Sequence, residues 1–442
     1  MTSPMTIHKF LKPFGVGAMT MLVAILALAS CKTSDYLDVT SPSRIPAAGL
    51  EDPANAGLLV NGAVADFECA FGAYVVASGL IGDELDDATQ TAARFPYDQR
   101  TLISSSSTYQ SADCTGIGTY SPLQTARVSA DNIRRLLTGW TDAQVPGRQT
   151  LLATANAYEG YAELLLGEGF CATTFSSFNP DGTVLYGTSI LPAQAFDSAI
   201  VRFTDAIAAA QAAGSGAQNI LDLAYVGRAR AKLDKGDLVG ARTDAALVPA
   251  SFVYNMTASA VSSRRYNRVW SDNGQNGSAY NQASSVGPAF RNLNDPRVPV
   301  VHPNNVPNST TGVPIWVQQK YTSATASIPI ASGVEAQLIV AEADLTSNPS
   351  EASTIINASR AAGGEPELAA GTSGADLKNA LIEERRRALF LQGQRLFDLI
   401  RFQIPLNPAA GSKFPGGGTY GSQECMPLPD VERFNNPNLK NG

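Results

Sequence analysis

The side chains best suited to engaging a ligand lie between residues 251 and 330. There Trp270, Tyr280 and Trp316 stand in a stretch rich in Asn, Ser, Gly and Pro. Indole and phenol rings can cover the apolar C–H faces of sugar rings. Each such burial contributes about 1.5–3 kcal/mol before ordering costs. Two or three contacts then support roughly millimolar to micromolar binding, a range that suits capture followed by release. The alternative role for these rings is local packing of a long insertion.

Catalytic patterns are weaker. Asp83-Glu84-Leu85-Asp86-Asp87 supplies oxygen ligands of the kind calcium takes, but without regular ligand spacing, so a solvated acidic loop is expected. Glu383, Glu384 and Arg385 to Arg387 fan around a helix axis and read as a structural ion-pair network. Gly416, Gly418 and Gly421 match G-x-G-x-x-G, yet no strand precedes them and no helix follows, which leaves a loop. His302 is the single histidine after residue 31, no G-x-S-x-G accompanies it, and no histidine-based zinc pattern occurs. No catalytic residue, metal site or cofactor is expected. Hydrolysis by a carboxylate pair is the enzymatic option that remains, and it requires two acids facing each other across a cleft.

The N-terminus carries a different chemistry. Lys9 and Lys12 precede an apolar run from Val16 to Ala29, which ends in Leu28-Ala29-Ser30-Cys31. The run is too short for a membrane span and suits a secretory signal peptide, and the four-residue ending is similar to a bacterial lipobox. Residues 1–30 are therefore expected to be removed and Cys31 to be lipidated. Each buried methylene contributes about 0.8 kcal/mol, so two or three acyl chains hold the chain to a bilayer. No other segment reads as long and apolar enough to span. The formal net charge is −7, and loss of Lys9 and Lys12 makes the mature chain more acidic, which disfavours nucleic acid as a partner. Of the 5 cysteines, Cys69, Cys114, Cys171 and Cys425 remain after Cys31 is used. An exported chain with an even number is expected to form disulfides. Three pairings are open, and Cys69–Cys114 with Cys171–Cys425 is the expected one.

The elements that position these residues are helices. Residues 31–53 form a polar tether, and the domain runs from 54 to 442. Ser121-Pro122-Leu123-Gln124 reads as a capping box, followed by an apolar face through Leu123, Ala126, Ala130, Ile133 and Leu137. Further faces run from Leu151 to Leu165, from Phe196 to Ala210, from Val334 to Leu345 and from Leu377 to Leu389. Between Leu221 and Pro249, two helices around Gly236-Asp237-Leu238 resemble a tetratricopeptide repeat with a short returning helix. Helical repeats are thus expected over about 121–250 and 334–400. An insertion over about 251–330 would form the ligand face, because long irregular segments in helical proteins are functional or disordered and this one is rich in aromatics.

Several separated motifs resemble one family. Asp35-Tyr36-Leu37-Asp38 follows the lipobox; Glu384-Arg385-Arg386-Arg387-Ala388-Leu389-Phe390 and Gly393-Gln394-Arg395-Leu396-Phe397-Asp398-Leu399 stand late in the chain. Met426-Pro427-Leu428-Pro429 and Asn436-Pro437-Asn438-Leu439 close it. With Asp295-Pro296-Arg297, Ala341-Glu342-Ala343 and Asn357-Ala358-Ser359-Arg360, these resemble the SusD/RagB family of nutrient-binding outer-membrane lipoproteins. The resemblance implies an all-α fold of four tetratricopeptide-like helix pairs with long loop insertions. It also implies a surface-exposed, lipid-anchored outer-membrane location and a SusC-like TonB-dependent transporter as partner. The ligand it implies is an oligosaccharide, or a peptide in some members. In one place the chain departs from the pattern: Ala331-Ser332-Gly333 stands where an Arg usually precedes the late helix. Outside this class, a surface glycosidase would need the facing acids described above, and an assembly scaffold would present a bare concave helical surface.

Overall fold

Apolar side chains at steps of three and four wind most of the chain into helices that pack each on the next. In the computed structural model, residues 51–110, 113–179, 181–274, 282–303 and 311–439 are described. Cys31, most of the tether and Tyr280 lie outside the described residues, as does Asp35-Tyr36-Leu37-Asp38. The principal helices are α1 (Ala56–Ile81), α2 (Tyr120–Gly139), α3 (Arg148–Gly169), α4 (Pro192–Ala213) and α5 (Gln218–Asp234). They continue as α6 (Leu238–Ala245), α7 (Gly333–Ser347), α8 (Pro349–Ala362), α9 (Gly374–Ala388) and α10 (Arg395–Phe402). Contacts run from α1 to α2 and onward in sequence to α9, the succession of a helical-repeat fold. The fold is all-α and tetratricopeptide-like.

The α5–α6 hairpin turns at Gly236, whose φ of 84° is open to glycine, and Asp237 caps α6 by accepting the Gly240 N–H at 2.9 Å. α6 packs chiefly on α5 and also meets α7, on the far side of the insertion. The insertion therefore follows the α5–α6 hairpin and separates two helices that still touch. Close approach elsewhere depends on missing side chains. Phe203 of α4 is wedged between α3 and α5, and a Cβ added at Gly227 would lie 2.4 Å from its ring.

Two expectations need correction, and one helix was not expected. Ser121 does not cap α2. The helix begins one residue before it, Ser121 bonds the Gln110 carbonyl at 3.2 Å, and Gln124 reaches Thr174 O at 2.8 Å instead of its own helix end. Tertiary partners displaced the local cap. The unexpected helix is α1, which has no amphipathic stripe and escaped a search for one; it is buried on nearly every face. Second, the segment Pro53–Ile81 is by length and composition able to span a membrane, with a mean hydropathy of 1.5, contrary to the reading that only the leader is that apolar. Its hydrophobic window is 83% buried inside the protein, which makes it the core helix of the repeats.

Two disulfides are present. Cys69–Cys114 ties α1 to the segment before α2, and Cys171–Cys425 ties the end of α3 to the C-terminal segment.

The late motifs assemble two buried ionic networks. Arg297 bonds Asp295, Ser359 and Glu384, with Glu384 at 2.7 Å and entirely buried. Arg385 and Arg401 converge on Asp398 at 2.9 and 2.7 Å, and Arg401 also pairs with Glu342. Burial alone would raise the Asp398 carboxyl, but the two guanidiniums outweigh it and hold it at about 2. A third pair spans the insertion: Arg230 of α5 meets Glu335 of α7 at 2.6 Å, with Glu168 of α3 at 3.9 Å and the Ile330 carbonyl at 3.0 Å. It is Arg230 that serves Glu335, next to the sequence position where Ala331-Ser332-Gly333 departs from the family pattern.

Removing one member of a buried pair strands the other charge. Arg230→Leu is expected to lower the unfolding free energy by roughly 3–5 kcal/mol in urea denaturation. Lys235→Ala breaks only the solvent-exposed pair with Asp197 and should change it by less than about 1 kcal/mol.

Candidate functional site

Six short strands frame the insertion: β1 (Leu85–Asp87), β2 (Val253–Asn255), β3 (Ser284–Val286), β4 (Val300–Val301), β5 (Val317–Gln318) and β6 (Pro329–Ser332). β2 pairs antiparallel with β6 and brings the two ends of the insertion together. β3 pairs with β1, and β4 with β5. Each pair is too short to be stable alone, so buried side-chain amides hold the loops between them. Asn273 donates to the Ser284 and Trp316 carbonyls at 2.6 and 3.1 Å and accepts the Gln318 N–H at 2.8 Å. Gln318 returns bonds to the Asn273 and Tyr321 carbonyls, each at 2.8 Å. Asn267 caps the short helix Arg268–Asp272 by accepting the Trp270 N–H at 2.9 Å, and it donates to the Ala326 carbonyl at 2.8 Å. The sequence reading missed these three amides. Their only signal was polarity, and the insertion is polar throughout.

The clamp opens a cleft of about 380 Å³ lined by Gly274, Val301, Pro303, Val317, Gln318, Gln319, Tyr321 and Thr322. Trp270 and Trp316 stand beside it on connected walls: Asn273, three residues after Trp270, holds the Trp316 carbonyl. Neither indole lines the cleft itself. Both are partly buried against the main core. The edge of Trp270 reaches toward the rim, since a Cβ on Gly274 would meet its Cδ1 at 3.2 Å. Tyr266 meets Trp270 edge-on at 6.1 Å. Trp316 is covered on one face. The His302 imidazole stacks on it with ring centres 4.3 Å apart and 12° between planes, and the Arg291 guanidinium lies 5.6 Å from the indole centre.

Arg291 connects this wall to the acidic segment. The expected solvated loop at residues 83–87 is instead built into the protein, with Asp83, Glu84 and Asp87 buried. Arginines and strand pairing replace the lost water. Asp83 pairs with Arg395 at 3.0 Å, Asp86 with Arg291 at 2.6 Å, and Asp87 with Arg94 at 3.3 Å. Glu84 accepts the Leu391 N–H at 2.7 Å, and burial pushes its carboxyl up to about 7. Asp98 accepts the Asp87 N–H at 2.7 Å and, among the described residues, has no ion-pair partner. Burial first, and the neighbouring Asp86 second, raise its carboxyl well above the usual range. Among the described residues no group of three or more His, Cys, Asp or Glu is placed to hold a metal ion.

The comparisons agree with this architecture. Residues 264–440 match the SusD_RagB family, described as the SusD family. A SusD-like carbohydrate binding protein from Bacteroides vulgatus ATCC 8482 superposes with a TM-score of 0.64 at 15% identity, covering 88% of this chain and 98% of that one. A SusD superfamily protein from Bacteroides thetaiotaomicron VPI-5482 gives 0.66 at 12% identity, covering 88% and 98%. A laminarin binding SusD-like protein gives 0.64 at 15% identity, covering 86% and 97%. No curated protein matches the chain in sequence. At these identities the solved structures establish the fold. The C-terminal match adds likeness to the SusD family over residues 264–440.

A carboxyl that stays protonated to near neutral pH in the folded chain, but ionises near 4 when unfolded, binds more protons folded than unfolded in between. Stability from Glu84 and Asp98 is therefore full below about pH 4 and declines as pH rises through their folded values. From these two groups the unfolding free energy is expected to fall by roughly 3–4 kcal/mol between pH 6 and 8.5. Asp98→Asn, which keeps a neutral side chain throughout, should flatten part of that decline in paired urea titrations.

Proposed function

We propose that the chain is a surface-exposed outer-membrane lipoprotein, anchored through Cys31, that binds an oligosaccharide and delivers it to a SusC-like TonB-dependent transporter. The observation that carries the binding reading is the cleft of about 380 Å³ inside the insertion, with Trp270 and Trp316 on its bordering walls. Gln319, Thr322 and backbone groups line it for hydroxyls, and apolar Val301 and Pro303 offer surface for C–H faces. Among the described residues none that lines it is an Asp or Glu, which favours capture over hydrolysis, since glycoside cleavage takes two facing carboxylates. The carbohydrate-binding and laminarin-binding descriptions of two fold relatives support the ligand class. The SusD family match over residues 264–440 supports the location and the partner, and the Leu28-Ala29-Ser30-Cys31 ending supports the anchor.

The test is calorimetric titration of the purified full chain against a panel of oligosaccharides, laminarin fragments among them, and of short peptides, with product analysis on the same mixtures. Saturable micromolar to millimolar binding of a sugar without turnover is expected, weakened about tenfold by Trp270→Ala or Trp316→Ala. Product formation, or binding that neither substitution alters, would overturn the proposal.

A further inference from the structure

Resting on the reading of Trp316 as a sugar contact, we propose that His302 is an internal stand-in for the ligand ring and decides which ligands Trp316 accepts. Two contacts define what it does. Its ring lies nearly parallel to the indole, 4.3 Å from centre to centre, which fills the position that a stacked sugar ring would take on that face. Its Nδ1 lies 2.7 Å from the Ile315 carbonyl oxygen. A carbonyl only accepts, so Nδ1 carries the proton and donates it, which fixes the tautomer by its partner. A stacked ring with an edge donor to a backbone carbonyl is the pair of contacts a pyranose makes with an aromatic platform and a neighbouring acceptor.

The surroundings permit the exchange. His302 is only partly buried and stands between Val301 and Pro303, both of which line the cleft. Trp316 is held independently of it. Its backbone N–H is bonded to Ser285 Oγ at 2.9 Å, its carbonyl is held by Asn273, its ring packs on the main core, and Arg291 beside the ring is fixed by Asp86 and the Val286 carbonyl. The platform therefore persists when the imidazole leaves, and the departing side chain gives up one stack and one hydrogen bond. A ligand that restores both displaces it; a ligand offering only one does not. The site thus selects a ring with an apolar face and a hydroxyl donor at the edge directed to Ile315 O. It discriminates against rings whose hydroxyl at that edge is absent or methylated, because the carbonyl would then be left unpaired.

The experiment uses the purified full chain as wild type, His302→Ala and His302→Gln, followed by indole fluorescence, with free imidazole as the first probe. In His302→Ala the vacated position should take up imidazole saturably, with a change in Trp316 emission that is absent from the wild type and from a His302→Ala/Trp316→Phe double variant. The oligosaccharide panel is the second probe. The best wild-type ligand should bind His302→Ala about fivefold or more tightly, because nothing has to be displaced. His302→Gln, which keeps a donor without a ring, should fall between the two. Equal affinity of wild type and His302→Ala for a sugar that Trp316→Ala weakens would leave the binding proposal standing and overturn the stand-in role. Saturable imidazole uptake with no sugar bound by any variant would support the stand-in geometry and overturn the glycan reading. The absence of imidazole uptake by a folded His302→Ala overturns the inference outright.

Discussion

The buried Arg230–Glu335 pair is the interaction on which the architecture turns. An insertion of roughly eighty residues separates α6 from α7, and a chain so interrupted must still bring the two helices together. Loop-closure entropy grows only slowly with length, so the long excursion is tolerated if its ends are pinned. Arg230 does this at three points, on Glu335, on the Ile330 carbonyl and near Glu168. The β2–β6 pairing then zips the ends. With its base fixed in this way, the insertion can be irregular above it and carry the cleft.

The same logic recurs at smaller scale. Buried charge is expensive unless paired, and this chain pairs it across sequence distance rather than along single helices. Arg297 reaches Glu384, Arg385 and Arg401 close on Asp398, and Arg291 reaches back to Asp86. The last of these joins the acidic strand under the insertion to the guanidinium beside Trp316. The candidate site is therefore braced from below by ion pairs and from the side by the Asn273 and Gln318 amides. Polarity that looks like solvent exposure in sequence is structural here.

The helices with one apolar stripe were legible in the sequence: Leu123, Ala126, Ala130, Ile133 and Leu137 all face inward on α2. The hairpin at Gly236 was equally clear, because a positive φ leaves a glycine signature. Uniformly buried α1 was not, since a helix apolar on all sides has no period to detect. The acidic run was misread for a related reason. Its partners Arg291 and Arg395 lie over two hundred residues away, and nothing local to Asp83 or Asp86 announces them. For the site, aromatic residues in a polar insertion marked where to look. They could not say that His302 already sits on Trp316, or that three amides shape the cleft, because those contacts depend on loop geometry and not on spacing.

The most direct test is a crystal structure of the chain with the tightest oligosaccharide soaked or co-crystallised. The account predicts a sugar ring over Trp316, with a hydroxyl toward the Ile315 carbonyl, the neighbouring residues of the ligand in the cleft beside Gln318, and His302 turned away. A ligand bound on the helical-repeat surface, with His302 still stacked on Trp316 and the cleft unchanged, would contradict it.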